Sequence, residues 1–304
     1  MIEILSNQLI IFAIIMFFGL IATKKNMISD DTSKEMSNVI LNIANPALIL
    51  SSYNVEATDD IINNLILTGF YSTIVIIIGI IFAVVFTSKL EGDRKKVLRF
   101  AAVIGNSGYM GFPLVAAVFG STGLLYASIF AITYNIATWT FGDMVMSGLK
   151  MEDKKSLVKK LVSNPSLIAV FIGLVLFLLG VKFPYVVSEP LRLLGSLTGP
   201  LSMLLLGEKM SKIDFKKALK DKHIYYGIFL RLILIPIVTL FILKVFKAPV
   251  DILNVIFVVM AMPAAIMTVI LSDKYNRDVE FSSQLTVITH AICIVTIPLL
   301  FRLV

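Results

Sequence analysis

The chain has 304 residues, 58% of them hydrophobic and only 15% charged, with a mean hydropathy of +0.91. That composition excludes a water-soluble domain and makes a lipid bilayer the natural solvent. A net charge of +7 would suggest a nucleic-acid partner in a soluble protein, but in a membrane chain its distribution among the loops is what carries information.

A hydrocarbon core about 30 Å thick takes roughly 20 mostly apolar residues per helix. Ten such segments are predicted, at about 5–22, 34–52, 62–87, 98–120, 122–148, 164–181, 190–207, 223–245, 250–271 and 281–303. The first has no basic residue before it and is followed by Lys24 and Lys25 without a small-residue cleavage site, so it is a retained span rather than a signal peptide. The connections after odd-numbered segments, counted with the adjoining segment ends, carry 21 Lys and Arg residues and those after even-numbered segments carry 4. This asymmetry predicts cytoplasmic odd connections and both termini outside. The runs "EGDRKKVLR" and "KMSKIDFKKALKDK" also suit anionic membrane lipid, although topology alone accounts for them.

Prolines interrupt the second, fourth, seventh and ninth segments. Pro46 lies in "LNIANPALIL", Pro113 closes "GNSGYMGFP", Pro200 lies in "LGSLTGPLSMLLLG" and Pro263 in "VVMAMPAAIMTVI". The second and fourth are 67 residues apart (46 to 113), the seventh and ninth 63 (200 to 263). The near-equal spacing predicts two five-helix repeats, 1–148 and 164–304, joined by a short basic linker over 149–163. Five is odd, so the second repeat enters the membrane inverted. The expected fold class is therefore an all-α polytopic membrane protein of two inverted repeats with helices four and nine broken.

Proline removes a backbone hydrogen bond and clashes with the preceding turn, at a cost of about 3 kcal/mol. Gly105, Gly108 and Gly111 loosen the same stretch. Unpaired backbone at membrane depth survives only where protein buries it or it lines a wet cavity, so the break predicts a cavity. Pro113 and Pro263 would each begin a second half-helix whose N–H groups face the bilayer centre, a setting that favours an anion. Asn106, Ser107 and Tyr109 add side-chain donors and acceptors beside it.

These stretches, together with "YNIATW" in the fifth segment and "AMPAA" in the ninth, resemble the auxin efflux carrier family, including its bacterial malate and malonate permease-like members. The resemblance covers essentially the whole chain. It implies a scaffold of helices one, two, six and seven that forms a homodimer face. A mobile transport domain of the remaining helices would carry substrate at Asn106, Ser107, Pro113 and Pro263. It also implies a bacterial or archaeal plasma membrane. The long cytoplasmic loop of plant members is absent, which makes regulation by phosphorylation there doubtful.

Polar residues at depth need a reason. Asn135 in the fifth segment either binds substrate or hydrogen-bonds the broken backbone. His290 in the tenth is either a proton-exchanging group or a neutral ring satisfied by a neighbour. Asp143, His290 and Gln284, the last sharing the tenth segment with Thr289, are the candidates for ion coupling. Arg231 either pairs with Asp143 or attracts an anion. Glu208 reads as a solvated boundary charge and Trp139 as a packing or interface anchor. A single cysteine, Cys293, and two histidines exclude a disulfide framework and a cysteine or histidine metal cluster. No phosphate-cradling motif or nucleophile–base pair points to an ATPase or another enzyme. The expectation is an elevator-type secondary transporter of a small organic anion, such as malate, malonate or an auxin-like carboxylate, with proton or sodium coupling and no bound cofactor. The rival is a membrane receptor for a small carboxylate.

Overall fold

The computed structural model describes residues 1–148 and 154–304. The expected linker lies outside the described residues over 149–153 and is helical beyond them.

Helix α1 is Ile2–Lys24. Ser29 caps α2 (Asp30–Val39) by accepting from the Thr32 N–H, and Asp30 and Asp31 in its first turn complement the helix dipole. A widened turn over Ile40–Ala44 leads into α3 (Asn45–Ser52), and α4 (Asp59–Phe86) follows, capped by Thr58. Next come α5 (Gly92–Val103), a widened turn over Ser107–Gly111, and α6 (Phe112–Ala137). Gly120 takes φ 66° and ψ −160° inside α6, so that helix is two arms meeting at a kink. A third widened turn (Thr138–Gly142) connects to α7 (Asp143–Ser147).

Helices α8 (Lys154–Val162) and α9 (Pro165–Leu178) meet at a bend of 70°. Then follow α10 (Tyr185–Ser196), α11 (Thr198–Ser211), the single turn α12 (Phe215–Ala218) and α13 (Lys222–Ile228). A fourth widened turn (Phe229–Leu234) precedes α14 (Ile235–Val245), and α15 (Val250–Met260), α16 (Met267–Lys274) and α17 (Val279–Phe301) complete the chain. Among the described residues, three of the four widened turns sit directly before a proline in the first turn of the next helix, namely Pro46, Pro113 and Pro236. The ring of proline cannot accommodate the carbonyl four residues earlier, and an i→i+5 turn makes room for it without breaking the rod.

Among the described residues, five helical stretches are long and apolar enough to cross a membrane: Ile2–Lys24, Asp59–Phe86, Ser107–Ser147, Lys222–Val245 and Val279–Phe301. Counting the bent pair of α8 and α9 as one span makes six. The ten expected segments are thus not ten unbroken rods. Much of the remaining apolar sequence is divided, as 250–274 is by the irregular stretch 261–266.

Polar contacts sort the connections into two groups. Arg94 pairs with Asp221 at 2.7 Å and Asp278 at 3.4 Å. Arg277 pairs with Asp93 at 3.2 Å and donates to the carbonyls of Met146 and Ser147. Lys212 pairs with Asp30. Odd connections one, three, seven and nine of the expected topology, with the end of segment five, are therefore joined. Elsewhere the Phe183 N–H donates to Asn54, which joins even connections two and six, and Lys244 donates to the Leu303 carbonyl, which joins the end of segment eight to the C-terminus. The two basic runs thus belong to one set of loops.

Candidate functional site

The chain breaks at 104–106, between α5 and the Ser107–Gly111 turn, and again at 261–266, between α15 and α16. The two breaks cross. Gly105 and Ala264 face each other as an antiparallel bridge, the Asn106 N–H donates to the Pro263 carbonyl at 2.8 Å, and the Ala265 N–H donates to the Ile104 carbonyl at 3.2 Å. The crossing thus satisfies part of the backbone that each break frees. Side chains satisfy more. The Tyr134 hydroxyl donates to the Gly105 carbonyl at 2.7 Å, and Thr289 accepts from the Ala264 N–H at 3.2 Å.

Arg231, 1% exposed, takes three further carbonyls. Its Nε donates to Met262 at 2.7 Å and its Nη1 to Ala102 and Val103 at 3.0 and 3.1 Å. Asp143 is elsewhere, accepting from Tyr275 at 2.7 Å and paired with Lys160 at 3.5 Å. The considered Asp143–Arg231 pair does not form, because the carbonyls at the crossing already occupy the guanidinium.

A cavity of about 350 Å³ opens beside the crossing, and Asn106, Ser107, Tyr109, Tyr134 and Asn135 line it. Asn45, 1% exposed, lines it too, and its Oδ1 has no hydrogen-bond partner. The backbone N–H groups of Gly108, Ile266 and Met267, all in the cavity wall, make no hydrogen bond among the described residues. Such a wall offers donors at the start of two half-helices and amide side chains around them, which is the chemistry that receives a carboxylate.

Asn106 is held from two sides. Its Nδ2 is 2.8 Å from Nε2 of His290, and its Oδ1 accepts from the Tyr109 N–H at 3.4 Å. Asn135 donates to the Ala131 carbonyl at 2.8 Å and accepts from Asn164 at 3.0 Å, so its partners are its own helix and the cap of α9 rather than the broken backbone. Trp139, expected as a packing or interface anchor, packs against the core and also lines the cavity, with the Lys160 ammonium 4.9 Å from its ring centre.

Other expected residues lie apart. Pro113 lines a different cavity, of about 490 Å³, against Gly199 and Pro200, because the break precedes the Ser107–Gly111 turn and leaves Pro113 inside α6. Pro263 reaches Asn106 through its carbonyl only. Gln284 lines a third cavity, of about 750 Å³, which shares Ile266 and Ile270 with the site cavity, and it donates to Glu280 at 3.2 Å. Glu208 is not a solvated charge. It is fully buried, accepts from Ser33 at 3.1 Å and pairs with Lys209 and Lys212. Among the described residues no cluster of His, Cys, Asp or Glu suits a metal ion.

Sequence reasoning placed Asn45 in a motif without assigning it to the site, and it missed Tyr134, Asn164 and Lys160. Asn45, next to Pro46, carried the available signal: an amide beside a helix-breaking proline at membrane depth.

Residues 4–301 match the membrane transport protein family, and the chain belongs to it, in agreement with the resemblance to auxin efflux carriers. An uncharacterized transporter of Methanocaldococcus jannaschii is 25% identical over 96% of both chains. One of Methanothermobacter thermautotrophicus is 25% identical over 94% of both. The uncharacterized transporter YfdV of Escherichia coli K12 is 24% identical over 94% of this chain and 93% of its own.

Proposed function

We propose, for this member of a membrane transport family, that it is a secondary active transporter of a small organic anion, a dicarboxylate such as malate or malonate or an auxin-like carboxylate. One observation carries the reading: two crossed helix breaks leave unpaired N–H groups in the wall of a cavity that also holds Asn45 and Asn106. Asn106, Ser107, Tyr109 and Asn135 contact substrate, with Asn45 added by its unused acceptor. The substrate carboxylate faces the N–H groups of Gly108, Ile266 and Met267.

The chain crosses the membrane ten times in two inverted repeats, 1–148 and 164–304, with both termini outside. The ion pairs that join odd connections to odd ones, and the contact that joins even connections two and six, support this arrangement. Movement is of the elevator type, with α1, α3, α9 and α11 in the fixed, dimer-forming scaffold and the crossing in the moving part. A proton or sodium gradient drives it, with Asp143 the proton candidate, since both ring nitrogens of His290 are engaged by Asn106 and the Thr286 carbonyl. The family match favours transport over a receptor role.

Purified protein in liposomes tests this with labelled malate, malonate, succinate and an aromatic carboxylate, with and without proton and sodium gradients. Saturable uptake of one anion that Asn106→Ala abolishes is the expected result. Equal behaviour of parent and variant with every anion would remove the assignment.

A further inference from the structure

Arg231 is buried at the crossing and, among the described residues, makes no ion pair. A buried guanidinium without an acid is costly unless something else carries the compensating charge. Its acceptors supply that charge. Ala102 and Val103 end α5, and Met262 lies just past the end of α15, so the guanidinium sits on the C-terminal ends of two half-helices. Each such end carries about half a negative charge, and two offset one cation.

Main-chain carbonyls that converge from broken helices are also the ligands with which transporters hold a coupling sodium ion. Here a side chain has taken them. The chain is shaped for it, because a Cβ on Gly105 would lie 1.8 Å from Nη2 and 2.6 Å from Cζ of Arg231. Tyr134 holds the Gly105 carbonyl in place from the other partner element.

We propose that Arg231 is a tethered cation standing where a coupling sodium would otherwise bind, so that the crossing works without sodium. With the C-terminal ends neutralised permanently, the two N-terminal ends remain uncompensated until a carboxylate arrives. Arg231 is a positioning residue for the anion, since it does not line the cavity. The inference rests on the crossing being a transport site.

The test compares Arg231→Lys, which keeps the charge, with Arg231→Gln, which keeps a polar side chain and two N–H donors without it. Parent uptake is expected to be the same in sodium, potassium and choline, Lys to retain most of it, and Gln to lose at least about tenfold, as expected of a lost buried charge interaction. Gly105→Ala, which pushes the guanidinium off its carbonyls, should match Gln. Arg231→Ala should gain activity and thermal stability from millimolar guanidinium or sodium that leave the parent unchanged. Sodium-dependent parent uptake, Gln equal to Lys, or Gly105→Ala equal to the parent would each overturn the proposal. If the parent moves no solute, the functional reading fails. The thermal midpoint in detergent then decides alone: a rise with guanidinium confined to Arg231→Ala supports the tethered cation, and no rise refutes it. If Arg231→Ala does not fold, the midpoints of Lys and Gln decide, and Gln as stable as Lys refutes it.

Discussion

The side-chain amide of Asn106 lies 2.8 Å from Nε2 of His290, and the other ring nitrogen of His290 lies 2.7 Å from the Thr286 carbonyl. A carbonyl only accepts, so Nδ1 carries the ring proton and Nε2 of the neutral ring accepts from Asn106. The amide is thereby fixed with Nδ2 toward the ring and Oδ1 toward the Tyr109 N–H. His290 orients the residue that the site depends on.

Removing that anchor should cost binding more than turnover. A buried hydrogen bond contributes about 1 kcal/mol, so His290→Ala is expected to raise the KM for the transported anion roughly fivefold with Vmax nearly kept. Asn106→Asp should be worse than Asn106→Ala, because a carboxylate faces the accepting nitrogen and also repels the substrate. Initial-rate uptake in proteoliposomes measures both, and Asp equal to Ala would contradict the assigned tautomer.

Asn164 serves two elements. Its Oδ1 accepts from the Ser166 and Leu167 N–H groups at the start of α9, and its Nδ2 donates to Asn135 in the cavity wall. Asn164→Ala therefore loses an N-cap, worth about 1 kcal/mol, and frees Asn135 at the same time. Asn164→Asp keeps the cap and loses only the donor. Thermal midpoints should fall for Ala and stay near the parent for Asp, while both variants weaken substrate affinity. Equal midpoints would show that the cap contributes nothing.

The sequence made the solvent, the breaks at 105 and 263 and the odd-loop charge bias legible, because composition and proline act locally. It was silent about partners fixed by tertiary contact. His290 and Asn106 are 184 positions apart, and no pattern near either announces the other. Arg231 looked like a ligand for an anion or a partner of Asp143 because a lone charge in an apolar run suggests an opposite charge. The carbonyls that bind it exist only once two helices break and cross. Pro113 was misplaced for a related reason: a proline marks where a helix is strained, and the widened turn before it absorbed that strain several residues after the actual break.

Lys212 reaches both Asp30 of α2 and Glu208 of α11, which ties the two helices together outside the bilayer core. Its hydrogen bond from Lys212, with the ammonium charge, holds the Asp30 carboxyl below its ordinary value of 3.8. Burial works against the Lys212 ammonium, but hydrogen bonds to Asp30 and Glu208 raise it above 10.5. For a depressed carboxyl the stabilisation is complete above the unfolded value and is lost as pH falls through the folded one. For a raised lysine it is complete below the unfolded value and is lost as pH rises through the folded one. The difference in thermal midpoint between the parent and Asp30→Asn should hence be constant at intermediate pH and shrink below 3.8 or above 10.5. A difference that grows on acidification would reverse the sign and refute the clamp.

Helices α1 and α11 meet through glycine rather than through side chains. A Cβ on Gly207 would lie 2.0 Å from the Met16 carbonyl oxygen, and one on Gly19 would lie 2.3 Å from that of Leu204. Backbone cannot yield as a flexible side chain does, so the two rods must separate. In a bilayer, where lipid is as apolar as the helices, close packing of this kind is a main source of association. Gly207→Ala is expected to destabilise the protein by about 1–3 kcal/mol, as overpacked sites do, and Gly19→Ala similarly. Because both residues press on one interface, the double variant should cost less than the sum of the two. Gly69→Ala in α4 is the control, since its Cβ meets only an ordinary contact with Ile129 at 3.7 Å. Thermal midpoints in detergent decide it: full additivity would mean the two glycines relieve separate strains rather than one shared approach of α1 to α11.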